Sequence, residues 1–448
     1  MAVVGAGPAG LYVTDALVFQ TAVPVRVDVF DRLPTPFGLL RYGVAPDHLK
    51  MKTLTRVLQK TVDHERVRFR GGVEVGATVT VEELRSAYHV VVYTFGASTD
   101  RRLGVPGEDL RGSASATDFV TWYSGHPDVP PEAFDLSTDA VASVVVVGVG
   151  NVAVDVARVL VKGVDALATT DIPARVLDAL RASRVRDVHV LGRRGPVQAR
   201  FTHKELHELG ELDGVDVVVD PADLELAGAD EAELGGHPAL QRNLDTMRAW
   251  ADRAPTAAPR RLHLHFWSRP VALVDDGTGA VAAVRIEPTR LHDGVLVAAG
   301  APRDLAAGLV LRSVGYRGVA LPGVPLDEGT GTVPADEGRV LRDGAVSPGE
   351  YVAGWIGRGP VGVLGTNRSD ATRLVQRLLA DAPGLLARTP ERETVDDLLA
   401  ARAPDLVDAT GWAAIDAAEV AAGVGEGRAR VKLASWDALH AAAVRSRP

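Results

Sequence analysis

Two glycine turns of the same type set the limits on what this chain can fold into. Gly5-Ala6-Gly7-Pro8-Ala9-Gly10 and Gly148-Val149-Gly150-Asn151-Val152-Ala153 each follow a short apolar run and open a stretch of helical periodicity. A strand that ends in such a turn and restarts as a helix aims backbone N–H groups at an anion, and the small residues let a pyrophosphate approach. Two of them in one chain predict two α/β units with parallel sheets, each a Rossmann-like dinucleotide-binding domain of three layers. The length of 448 residues suits two or three domains.

The residues beyond each turn predict different ligands. Asp31 follows a strand over residues 25–30, where a carboxylate can accept both ribose hydroxyls of an adenosine and repel a 2′-phosphate. Gly5, Gly7, Pro8, Ala9, Gly10 and Asp31 are therefore candidate FAD or NAD contacts. After the second turn, a strand at 188–191 runs into Gly192-Arg193-Arg194-Gly195. Arginine forks onto phosphate with two parallel hydrogen bonds, so Arg193 and Arg194 should select NADP over NAD. Two nicotinamides would have no chemical relay between them, whereas FAD and NADPH form a hydride acceptor and donor pair. The combination reads as a flavoprotein reductase.

Composition narrows where the electrons go. With no cysteine in the chain, disulfides, Cys-ligated zinc, an internal iron-sulfur cluster and a redox-active Cys-x-x-Cys pair are all excluded. A net charge of −9 argues against nucleic acid or an anionic membrane as partner. No apolar run reaches the 18 or more residues of a spanning helix, and the chain opens directly on Met1-Ala2-Val3-Val4, with no basic leader, so a cytoplasmic location is expected. Only four residues precede Gly5, fewer than the five or six usual in a strand, which leaves room for a start upstream.

Further along, periodicity predicts strands at 90–95, 188–192 and 350–354, helices at 50–63, 172–183, 242–253 and 369–380, and β-rich sequence at 262–314. The tail from 389 onward reads as helical. Pro- and Gly-rich stretches at 103–112 and 321–331 are the natural crossings between domains. The expected division is a first part of an FAD domain at 1–106, an NADP domain at 107–324, and the second part of the FAD domain at 325–448.

Five segments, in order along most of the chain, resemble the adrenodoxin reductase branch of the ferredoxin-NADP reductases. They are Pro36-Phe37-Gly38-Leu39-Leu40-Arg41-Tyr42-Gly43-Val44-Ala45-Pro46-Asp47-His48, residues 148–155, Gly192-Arg193-Arg194-Gly195-Pro196, Phe201-Thr202-His203-Lys204-Glu205-Leu206, and Gly354-Trp355-Ile356-Gly357-Arg358-Gly359-Pro360-Val361-Gly362-Val363-Leu364-Gly365-Thr366-Asn367. The resemblance implies an NADP domain inserted into a discontinuous FAD domain. It places Leu39, Gly96, Trp355, Gly362, Val363 and Leu364 with the flavin, under a helix that begins near Thr366 and would stabilise anionic reduced flavin. It places Gly150, Asn151, Val152 and Gly362 with NADP, and joins Glu205 to Arg193 and Arg194 around the adenosine ribose. His48 and Asp155 would sit near flavin and nicotinamide, as proton-relay or structural residues.

The activity so implied is transfer of hydride from NADPH to FAD, then of single electrons to a ferredoxin, with a cytochrome P450 as a conceivable downstream user. Lys204, Arg242 and Arg248 are candidates for docking that acidic partner, with His207 where some relatives carry a basic residue. The alternatives are another NADPH-dependent flavoprotein, such as a flavin monooxygenase, or a nucleotide-binding subunit without turnover.

Overall fold

The computed structural model describes residues 1–226, 228–362, 364–390 and 393–444. The chain divides into two compact units, one made of residues 1–99, 124–128 and 315–448, the other of 100–123 and 129–314. The second unit is thus inserted into the first. These crossings lie a few residues from the stretches expected to carry them, for a packing reason. Leu103 and Val105 pack on the core of the inserted unit, while Leu321 and Val324 pack in the core of the first.

The first unit is built on a seven-stranded sheet in the order 335–336, 339–342, 345–352, 91–93, 2–4, 27–31, 67–71. The strands from 345–352 through 67–71 are parallel, and the first three form an antiparallel meander. Successive residues of a strand point to opposite faces, and both faces here are buried. Val3, Val27 and Val29 face the helices Pro8–Phe19, Leu364–Leu386, Ala409–Gly425 and Trp436–Val444. Ala2, Val4, Phe30 and Tyr93 face the helices Val81–Ala87, Trp355–Arg358 and Glu393–Arg402. The tail after 389 is helical as expected, and it supplies Trp412 and Ile415 to the core.

The inserted unit has a wholly parallel six-stranded sheet in the order 113–115, 309–312, 143–147, 187–191, 260–265, 215–219. Helices including Ala116–Tyr123, Asn151–Val161, His203–Leu209 and Pro238–Ala251 cover one face. An antiparallel sheet covers the other, where Leu273, Val284 and Ile286 meet Val145, Val147, Leu191 and Val310. Among the described residues, no helix is long and apolar enough to cross a membrane.

Two details were not expected from the sequence. The helix expected over 50–63 is split into Leu49–Lys52 and Leu54–Val62 at Thr53, whose hydroxyl donates back to the Lys50 carbonyl at 2.7 Å. Residues 124–128 return to the first unit because the C-terminal segment holds them. Lys432 Nζ donates to the Ser124 carbonyl at 3.0 Å and the Arg41 carbonyl at 2.7 Å, and Trp436 Nε1 donates to Asp128 at 2.9 Å.

The same segment carries a buried charge pair. Glu419, wholly buried, accepts both forks of the Arg41 guanidinium, the Leu433 N–H at 2.9 Å and Arg430 at 3.3 Å. Arg41 also lies 5.1 Å from the Tyr42 ring centroid and 5.4 Å from that of Trp412. Removing one member of such a pair strands a desolvated charge, whereas removing both does not. Glu419→Met is therefore expected to cost about 3–5 kcal/mol, read as a lower melting temperature. Arg41→Met/Glu419→Met should lose less than the single variant, and an equal loss would show that the stranded charge is not the cause.

Candidate functional site

In the first unit, the candidate flavin residues cluster where parallel strands end. Gly5 follows strand 2–4 and donates its N–H to the Phe30 carbonyl at 2.7 Å. Gly7 caps the helix Pro8–Phe19, with Pro8 at its first position, where a missing N–H costs nothing. Gly10 has no room for a side chain, since a Cβ there would stand 2.0 Å from the Gly5 carbonyl oxygen. The Phe37 N–H donates to the Ala6 carbonyl at 2.8 Å, and Gly38 lies against Gly7, which brings Leu39 and its short helix Leu39–Tyr42 to the first turn.

Two further strand ends reach the same place. Thr94 donates its hydroxyl to the Val4 and Gly5 carbonyls at 2.9 and 3.0 Å, ahead of Gly96. Gly354 lies against Ala9, because a Cβ on it would be 2.5 Å from the Ala9 methyl, and so it sets the start of the helix Trp355–Arg358 beside the first turn. Trp355 stacks obliquely on Tyr316 with centroids 5.1 Å apart. Gly362 has a φ of +87°, and Leu364 begins the helix Leu364–Leu386, two residues before Thr366. Val363 lies outside the described residues.

Asp31 is tied to the turn itself. Its carboxylate accepts the Ala6 N–H at 2.8 Å and the Leu33 N–H at 2.9 Å, so it braces the glycine turn. Burial pushes its pKa up, and those two donors oppose the shift. An ionised carboxylate offers about four acceptor positions, so ribose hydroxyls can still be received.

In the inserted unit, Gly148 has a φ of +133°, and a Cβ there would stand 2.1 Å from the Ser313 carbonyl oxygen. Gly150 caps the helix Asn151–Val161, and the Asn151 side chain accepts the Thr202 N–H at 2.9 Å, with Val152 next along the helix. Arg193 and Arg194 are exposed in the turn after strand 187–191, and among the described residues neither guanidinium has an ion-pair partner. Their turn is nonetheless fixed. Trp267, at a φ of +52°, presses its ring where a Gly195 Cβ would be, at 2.3 Å. Thr289 donates its hydroxyl to the Arg193 carbonyl at 2.8 Å, and the Gly195 N–H donates to the Gln198 side chain at 3.1 Å.

Glu205 has a charge partner in Arg158, 3.8 Å away and almost fully buried, which also pairs with Asp155 at 2.8 Å and Glu208 at 3.7 Å. The structure therefore joins Asp155 and Glu205 through Arg158. Sequence reasoning missed Arg158, though its i,i+3 spacing from Asp155 on one helix was a legible signal. Trp267 and Thr289 left none, since both act on the arginine turn from distant strands. His48 is buried at the start of the helix Leu49–Lys52. Of the candidate docking residues, Lys204 is paired with Glu208 at 3.3 Å, and Arg242 and Arg248 are exposed on the helix Pro238–Ala251 with Asp245 between them.

Both cradles fit a dinucleotide. Each closes tightly on itself, yet apart from the adjoining residues of the chain no heavy atom lies within 4 Å of the place a Cβ of Gly96 or Gly150 would occupy, so a ligand's backbone-side approach is open there. Gly10→Ala should therefore displace the Gly5 carbonyl and abolish nucleotide binding in the first unit. The purified variant is expected to lack visible flavin absorbance, and a yellow product would refute this placement.

No family model matches the chain. It is 43% identical to the NADPH-ferredoxin reductase FprA of Mycobacterium tuberculosis, over 97% of this chain and 97% of that protein. It is 39% identical to the mitochondrial NADPH:adrenodoxin oxidoreductase of Arabidopsis thaliana, over 98% of this chain and 94% of that one. The structure matches that of M. tuberculosis FprA in complex with NADPH with a TM-score of 0.92 and 42% identity, covering 99% of both chains. Identity of 39–43% along nearly the whole chain, in a fold that matches over 99% of both chains, places this chain in the adrenodoxin reductase-like family of NADPH-ferredoxin reductases.

Proposed function

We propose that the chain oxidises NADPH and passes the electrons singly to a ferredoxin. The observation that carries this reading is the sorting of charge between the two cradles: a carboxylate, Asp31, at one, and at the other two exposed guanidinium groups, Arg193 and Arg194, with no ion-pair partner among the described residues. A 2′-phosphate is repelled by the first and gripped by the second. When bound, FAD accepts hydride from NADPH as two electrons and can release them one at a time.

The chain's own residues bind and orient. The N-terminus of the helix Pro8–Phe19 offers N–H groups and a partial positive charge to one pyrophosphate, and that of Asn151–Val161 does so for the other. Holding reactants in register removes an entropic barrier of roughly 7–11 kcal/mol at best. Trp267, Thr289 and Gln198 fix the arginine turn before ligand arrives, which lowers the cost of ordering it. Asp155 and Glu205, both held to Arg158, shape the inserted unit near its helix start rather than standing as free acids.

The absence of cysteine directs the electrons outward, since no internal thiol pair or cluster can take them. Arg242 and Arg248 on an exposed helix suit a small, salt-sensitive encounter with an acidic carrier. The test is NADPH-dependent reduction of ferricyanide, and of cytochrome c through an added ferredoxin. Both should proceed, and a protein that only binds nucleotides would show neither.

Cofactor choice gives a sharper measurement. Each lost charged contact to the 2′-phosphate should cost about 1.5–3 kcal/mol, or roughly ten- to a hundredfold. Arg193→Ala and Arg194→Ala should each narrow the NADPH/NADH ratio of kcat/KM by that factor, mainly through KM for NADPH. An unchanged ratio would remove the assignment.

A further inference from the structure

The face of the inserted sheet that looks toward the antiparallel layer carries a group that the redox reading does not use. His189 and His263 are directly paired neighbours on adjacent parallel strands, and His265 lies two residues further along the same face. The rings stack, with centroids 4.4 Å apart for His189 and His263, 5.3 Å for His189 and His265, and 6.0 Å for His263 and His265. His189 Nδ1 and His265 Nε2 share a hydrogen bond of 3.0 Å. One nitrogen from each of the three rings lies within 4.8 Å of the others.

We propose that His189, His263 and His265 form a binding site for one borderline divalent cation of the Zn²⁺ class. Imidazole nitrogen is the donor such ions prefer over the oxygen donors that suit Mg²⁺ or Ca²⁺. Three protein nitrogens leave a fourth position for water. His263 Nε2 is already hydrogen-bonded to Asp187 at 2.9 Å, which is the carboxylate–histidine arrangement that orients a ligating ring and leaves Nδ1 to bind the ion. His189 Nδ1 and His265 Nε2 already face each other, so a shift of one proton to the far ring nitrogen frees both for the ion. Capture replaces the hydrogen bond between His189 and His265, and the nearly parallel rings tilt to aim at a common point.

The placement has a structural meaning. Strand 187–191 leads into the arginine turn, and strand 260–265 leads to Trp267, which packs on Gly195 of that turn. The Gly192 N–H donates to the His265 carbonyl at 2.7 Å. A cation here ties together the two strands from which that turn is hung. The inference does not depend on what the turn binds.

The protein, stripped of metal and dialysed against Zn²⁺, should retain one equivalent more than His263→Gln or His265→Gln, with His292→Gln, at an exposed site, matching the wild type. Equal zinc in all four proteins would overturn the proposal. X-ray absorption on the zinc-loaded wild type needs no variant: three imidazoles at about 2.0–2.1 Å support the site, and a shell with fewer than two imidazoles removes it.

Discussion

The structure turns on how closely backbone can approach backbone at two strand-to-helix turns. A single methyl group at Gly10 or Gly148 would fall 2.0–2.1 Å from a carbonyl oxygen, so neither helix could start where it does. Where the helix starts decides where its unpaired N–H groups point, and those groups define what each unit can hold. The neighbouring strand ends bring Asp31, Gly96 and Gly354 to the turn in one unit, and Arg193 follows a strand end in the other.

Charge is handled in two ways. Buried groups are bound to each other: Arg41 is held by Glu419, and Arg158 is held among Asp155, Glu205 and Glu208. Leaving one of these alone would cost several kcal/mol. Arg193 and Arg194 are left exposed, on a turn pinned by Trp267 and Thr289. With no ion-pair partner among the described residues, such a guanidinium on a pinned loop loses little on meeting a phosphate.

Local patterns were legible in the sequence, and long-range ones were not. The two glycine turns, the arginine pair and most helices announce themselves within about twenty residues, the reach of the motif rules. The return of residues 124–128 to the first unit is written in Lys432 and Trp436, some three hundred positions away. Asp31 stood out in the sequence by its place after a strand, but its bracing of Ala6 and Leu33 depends on how the turn folds over it. Glu205 read as a neighbour of the arginine turn; that it also lies 3.8 Å from the buried Arg158 is not marked by the family-like motifs.

The interrupted layout of the first unit also bears on how the chain matures. Strand 91–93 pairs with 345–352, so one side of it stays without a neighbour while about 250 residues are made. At ribosomal speeds that is roughly 12–50 s. The inserted unit draws nearly all its strands from one continuous stretch and can close during that wait. A growing chain therefore holds a finished domain and an open sheet edge at once, and that edge is where a chaperone, or a wrong neighbour, would find it.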